Sequence, residues 1–150
     1  MTSHERLTTL RMVAEFREIP PAELTALASA MREEVYEAGE PVCVEGEPAD
    51  RVFIVHAGEV SVTQEGRSGI VQVAARGALF GEVAFFDRAF RTATVGARTA
   101  CIVLSLEFER FRQFLLANPD SALVIAARLA RMLRAAEAML IRLQHDRRPD

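Results

Sequence analysis

The chain has 150 residues, half of them hydrophobic and 26% charged, which suits one compact domain and argues against disorder. The net charge of −3 argues against nucleic acid as the main partner. No apolar run approaches the ~18 residues that cross a membrane, and MTSHERLTTL has no signal-peptide core, so a cytoplasmic setting with no membrane partner is expected.

Charge is uneven along the chain. Residues 1–60 carry 12 acids and 5 arginines, and residues 61–150 carry 9 acids and 13 arginines. The basic half either favours an anion or holds ordinary solvated arginines. There is no lysine. Cys43 and Cys101 are far apart and form no metal or disulfide pattern, so both are read as buried thiols.

Three regions follow in chain order. Residues 1–31 read as helical: Leu7, Leu10, Val13 and Ala14 recur at helical spacing, and Pro21 suits the first turn of a second helix carrying Leu24, Leu27 and Ala28 inward. Residues 32–105 read as strands punctuated by glycine, at Glu34–Tyr36, Val42–Val44, Val52–Val55, Val60–Thr63, Ile70–Val73, Thr92–Val95 and Cys101–Leu104. Seven short strands at this spacing predict an antiparallel sandwich or jelly-roll barrel. Residues 106–144 return to helix. One helix, Leu106 to Ala117, has Ser105 available as its N-cap, and a last helix runs from Pro119 to about Gln144. Met1–Glu5 and His145–Asp150 read as frayed ends. The fold class is therefore mainly β, a jelly-roll barrel with N-terminal helices and two C-terminal helices, in one domain over residues 1–150.

On the last helix Ala122, Ala126, Leu129, Leu133, Ala136, Leu140 and Leu143 form a heptad stripe. It packs either against a second chain, which the regular spacing favours, or against its own barrel.

The segment richest in chemistry is FGEVAFFDRAFRTATV, residues 80–95. Gly81 permits a sharp turn and close approach to a ligand. Residues 82–86 can form a helical turn with free backbone donors, Glu82 can accept from a sugar hydroxyl, and Arg91 can pair two oxygens of one phosphate. On residue chemistry alone, Glu82 and Arg91 are either an anion site or an internal ion pair.

This segment resembles the phosphate-binding cassette of the cyclic-nucleotide-binding domains, the family of the catabolite activator, protein kinase A regulatory subunits and cyclic-nucleotide-gated channels. The matching residues are Phe80, Gly81, Glu82, Val83, Ala84 and Phe85, then Arg91, Thr92, Ala93, Thr94 and Val95. Residues 36–40, 45–50 and 53–60 resemble the family's barrel turns, with Ala49 where glycine is usual, and Phe16–Leu27 and the two last helices resemble its flanking helices. The resemblance implies a regulatory sensor, not an enzyme, that binds cAMP or cGMP and has no other cofactor. It gives Arg91 the cyclic phosphate, Glu82 the ribose 2′-hydroxyl, and the backbones of Gly81, Val83, Thr92 and Ala93 supporting contacts. Val73 and Val83 either face the base or fill the barrel core. Leu133, Arg134 and Glu137 become lid residues. Thr92 after the cassette arginine either favours guanine, since cAMP-selective kinase domains usually carry Ala there, or is a generic small β residue. Ala136 and Glu137 stand where the catabolite activator places two hydroxyl residues against adenine, and Glu137 is either a guanine acceptor or a solvated charge.

Three rivals remain in view. A transcription factor needs a helix-turn-helix after the last helix, and none is present before Asp150, so the sequence reads as a detached sensor or an excised domain acting through an unknown effector protein. A metal-dependent barrel enzyme needs clustered ligands, whereas His4, His56 and His145 are scattered, and no metal site is expected. A ligand-free interaction module would have no use for an intact Glu82 and Arg91. Cyclic di-GMP is the alternative ligand.

Overall fold

A computed structural model describes residues 1–147. Helix α1 (Ser3–Met12), a 3-10 turn (Ala14–Phe16) and α2 (Pro21–Ala30) precede eight strands. These are β1 (Arg32–Tyr36), β2 (Pro41–Cys43), β3 (Arg51–Ala57), β4 (Val60–Thr63), β5 (Gln72–Ala74), β6 (Leu79–Phe80), β7 (Thr94–Ala97) and β8 (Cys101–Glu107). A short helix α3 (Glu82–Asp87) interrupts them, and α4 (Phe108–Ala117) and α5 (Pro119–Asp146) close the chain. The strands form two antiparallel sheets of four, in the orders β1-β8-β3-β6 and β2-β7-β4-β5. This is the mainly β fold with flanking helices that the sequence predicts.

The run Val52-Phe53-Ile54-Val55 explains the layering. Alternate residues of a strand face opposite sides. Val52 and Ile54 pack with the helices, among Leu10, Phe16, Phe111 and Ile125. Phe53 and Val55 point between the sheets, among Val60, Val95 and Val103. The strand is buried on both faces, so it reads as a continuous apolar run without alternation.

Local chemistry sets the ends. Thr2 and Glu5 form a reciprocal capping box, Thr2 N–H donating to Glu5 Oε2 at 2.7 Å and Glu5 N–H to Thr2 Oγ1 at 3.1 Å. Met1–Glu5 is therefore a capped helix start, not a frayed end. Arg6 ties α1 to the end of α2 by donating to the carbonyls of Ala28 and Met31 at 3.0 and 2.8 Å. Helix α5 runs past Gln144 to Asp146, and residues 148–150 of the frayed end expected at 145–150 lie outside the described residues.

Other expectations shift. The strand expected at Ile70–Val73 is Gln72–Ala74, and that at Thr92–Val95 is Thr94–Ala97; two-residue β6 carries no pattern long enough to read. Ser105 is not a cap: it is a buried residue of β8, paired with Arg32 and Phe53, and Glu107 precedes the helix instead. Cys101 is buried but Cys43 is only half-buried.

The heptad stripe is not what anchors α5. Its most buried residue is Ile125, fully enclosed, with Ser121 beside it; Ala122 and Leu129 pack partly, Ala126 is exposed, and every residue from 130 to 146 is exposed. The barrel meets a face rotated from the stripe, and the distal half extends beyond it. Ile125→Ala should cost about 2–4 kcal/mol in urea unfolding, whereas Leu123→Ala, at an exposed position of the same helix, should stay within about 0.5 kcal/mol.

Gly58 turns β3 into β4 with φ +79°, and an added Cβ would collide with the Ala100 carbonyl oxygen and the Cys101 backbone. Gly58→Ala should destabilise by at least about 2 kcal/mol in the same experiment.

Candidate ligand site

Helix α3 and the start of β7 bracket the cassette, and they meet at a cavity of about 220 Å³ between the second sheet and α5. Gly81, Glu82, Val83, Arg91, Thr92 and Ala93 all line it. Val73 does not. Val60, Val62, Gln72 and Ala74 line the cavity, so the strand alternation sends Val73 to the outer face, where it is 41% exposed. The barrel side of the wall includes Val71 and Cys43, whose thiol is pushed up by burial.

Arg91 is only 5% exposed. Its backbone exchanges hydrogen bonds with the preceding loop: Arg91 N–H donates to the Glu47 carbonyl and Gly46 N–H to the Arg91 carbonyl, both at 2.9 Å. Its guanidinium donates to the carbonyls of Arg51 at 2.8 Å and Gly81 at 3.4 Å, and lies 5.2 Å from the Phe53 ring centroid. Its nearest carboxylate is the exposed Asp50, at 3.9 Å. Burial disfavours the charged form of this arginine, with Arg51 adding to the effect. Arg51 is itself fixed by a two-point pair to Glu34, at 2.9 Å on each nitrogen. Burial would raise Glu34, but Arg51, Ser105 and Tyr36 outweigh it and bring the carboxyl down to about 2.

Gly81 is required where it stands. Its φ of +86° is left-handed, and an added Cβ would lie 2.8 Å from Arg91 Nη1 and 3.2 Å from the Phe53 ring.

Glu82, 4% exposed, does not pair with Arg91; no ion pair within 4.0 Å and no side-chain hydrogen bond joins them among the described residues. The internal ion pair is therefore not the arrangement that forms. Glu82 instead faces Arg128 of α5, whose Nη1 lies 3.7 Å from Glu82 Oε1, 2.7 Å from the buried Glu15 carboxylate and 3.3 Å from the Leu79 carbonyl. Burial pushes the Glu82 carboxyl above its ordinary value, against its own backbone N–H and Arg128.

Arg128, Met132, Gln64 and Arg67 line the cavity but escape the sequence reading. Arg128 sits between Ile125 and Leu129 on α5, a helical-spacing clue to inward placement, but an arginine on a helix reads as solvated by default. Gln64 and Arg67 form a chain to the cassette: Arg67 Nη1 donates to Gln64 Oε1 at 3.2 Å, and Gln64 Nε2 to the Thr92 carbonyl at 3.1 Å. Leu133, Arg134 and Glu137 are exposed on α5 and do not line the cavity; Met132 marks the limit of the helix's contact with it.

A sequence model of the cyclic nucleotide-binding domain matches residues 33–118, more than half of the chain. The chain belongs to the cyclic nucleotide-binding domain family. It is 37% identical over 106 residues to a cAMP-dependent protein kinase regulatory subunit of Yarrowia lipolytica, a match covering 71% of this chain and 28% of that protein. It is 27% identical over 122 residues to a CRP-like cAMP-activated global transcriptional regulator of Mycobacterium tuberculosis, covering 79% and 54%. The catabolite activator protein of Thermus thermophilus superposes with a TM-score of 0.79 at 27% identity, over 87% of this chain and 62% of that one. The chain thus spans about a quarter to a half of these two curated relatives. Among the described residues no helix is long and apolar enough to cross a membrane, and no cluster of metal-ligating side chains occurs.

The raised Glu82 pKa has a defined consequence. An unfolded carboxyl ionises near 4.5 while the buried one resists, so Glu82 costs stability progressively as pH rises above 4.5. Glu82→Gln should therefore gain stability relative to the parent protein between pH 4.5 and 7, in urea unfolding of the ligand-free protein at both pH values.

Proposed function

We propose that this chain is a non-catalytic regulatory module that binds one cyclic nucleoside monophosphate in the cavity of residues 81–93. The observation that carries the reading is the buried pair of opposite charges that do not neutralise each other. Arg91 offers a planar donor face to the single charge of a cyclic phosphate, and Glu82 offers an acceptor to the ribose 2′-hydroxyl. Backbone groups of Gly81, Val83, Thr92 and Ala93 complete the ribose–phosphate site, and Val83 forms part of the apolar wall. A cavity of about 220 Å³ favours one nucleotide over a cyclic dinucleotide twice the size.

Thr92 supports guanine as the base, its hydroxyl accepting from the 2-amino group. Glu137 reaches the base only if α5 folds over the cavity, bringing Leu133 and Arg134 with it, so ligand binding would shift α5 from extended to closed. The cAMP-linked names of the relatives favour adenine as the second reading. The exposed apolar residues Leu133, Leu140 and Leu143 would pair with a second copy of the chain.

Arg91→Ala or Glu82→Ala should weaken nucleotide binding at least about 100-fold in calorimetry while circular dichroism stays unchanged, since truncating one partner of a buried charged contact costs about 2–5 kcal/mol. Unchanged affinity contradicts the assignment. Thr92→Ala should lower the cGMP-to-cAMP affinity ratio about 2- to 10-fold in competition binding, the worth of one hydrogen bond. A native preference for cAMP that Thr92→Ala leaves unaltered favours adenine.

A further inference from the structure

The nucleotide cavity shares one wall with a larger groove of about 580 Å³ on the outside of the barrel. The groove runs between β5 and α5. On the α5 side Val124, Arg128 and Arg131 follow one another at helical spacing and all line it. On the opposite side stand all three residues of β5 and the following Arg76.

Two features select the kind of ligand. The first is charge. Three arginines line the groove against one acid, Glu15, and Glu15 already pairs with Arg128 at 2.7 Å. Arg131 makes no side-chain hydrogen bond or ion pair among the described residues. Arg76 donates its Nε–H to the hydroxyl of buried Thr9 at 3.2 Å, which fixes the side chain, and its two terminal nitrogens have no partner among the described residues. Two uncompensated cations thus share one concave surface in a chain of net charge −3. The second is backbone. β5 is the terminal strand of its sheet, so its outer edge has no strand partner among the described residues, and the whole strand, half-exposed Val73 included, lines the groove beside Met12. A free strand edge takes an extended segment, and the flanking side chains choose its character.

We propose that this groove binds an extended acidic segment of a partner protein, pairing along β5 with its carboxylates on Arg76 and Arg131. Neither arginine lines the nucleotide cavity, so the two anchoring side chains are separate from the site of residues 81–93, although β5 borders both.

The test is fluorescence anisotropy with a fluorescein-labelled dodecapeptide of alternating Glu and Ser. The intact protein should bind it, Arg76→Glu/Arg131→Glu should weaken binding at least tenfold, and Arg110→Glu/Arg112→Glu, on α4, should leave it within twofold. Nucleotide calorimetry on the same preparations reads the cavity independently and should be unaltered by the groove reversal, which also shows that the variant is folded. The proposal is overturned if the intact protein does not bind the peptide, if the groove and α4 reversals weaken it equally, or if an unlabelled dodecathymidine displaces it as well as unlabelled peptide does.

Discussion

Arg91 is a guanidinium enclosed in a protein interior with no buried carboxylate in ion-pair contact among the described residues. Removing a charge from water costs several kcal/mol unless nearby groups replace the lost hydration. Here the replacement is two main-chain carbonyls and an aromatic face, with one exposed carboxylate at the edge. Much of the local architecture is what this confinement needs. The Arg91 backbone is clasped by the turn at Gly46 and Glu47. The Arg51 carbonyl belongs to β3, paired with β8 at Glu107, and the Arg51 side chain is fixed to Glu34. Gly81 has no side chain because one would meet the guanidinium. In the proposed function, an anion entering the cavity would give the arginine a partner nearer than the exposed Asp50.

The opposite wall connects the cavity to the helices. Glu82, Arg128 and Glu15 come from α3, α5 and the 3-10 turn, three elements remote in sequence. One guanidinium serves two buried carboxylates, so a hydroxyl bound at Glu82, as proposed, would change the balance at Arg128. Ile125 anchors the proximal half of α5 one turn away, and residues 130–146 of the distal half are exposed. A ligand at Glu82, as proposed, would act close to the point where the helix changes from packed to exposed.

Much of this was legible in the sequence, for reasons that vary by residue. Glycine and strand spacing give the barrel, because turn chemistry and β-propensity are local. Glu82 and Arg91 stand out because their surroundings, residues 80–95, carry a family pattern. Val73 misleads: the β-prone run ends one residue earlier than the strand does, and a one-residue shift in phase exchanges inside for outside. Arg128 was not legible, since its partners Glu15 and Glu82 lie 113 and 46 positions away and no local pattern records such a meeting. The anchoring face of α5 was read about one residue out of phase, because Ile125 packs on the barrel beside a more regular stripe of Ala and Leu.

The central claim is that the cavity recognises a cyclic phosphate and a ribose together. Titration calorimetry of the intact chain with cGMP, cAMP and their linear 5′-monophosphates tests it most directly. The account predicts saturable one-to-one binding of at least one cyclic nucleotide and far weaker binding of the linear forms, whose extra charge and length do not suit a closed site around one guanidinium. No binding of either cyclic nucleotide, or equal binding of the linear ones, contradicts it.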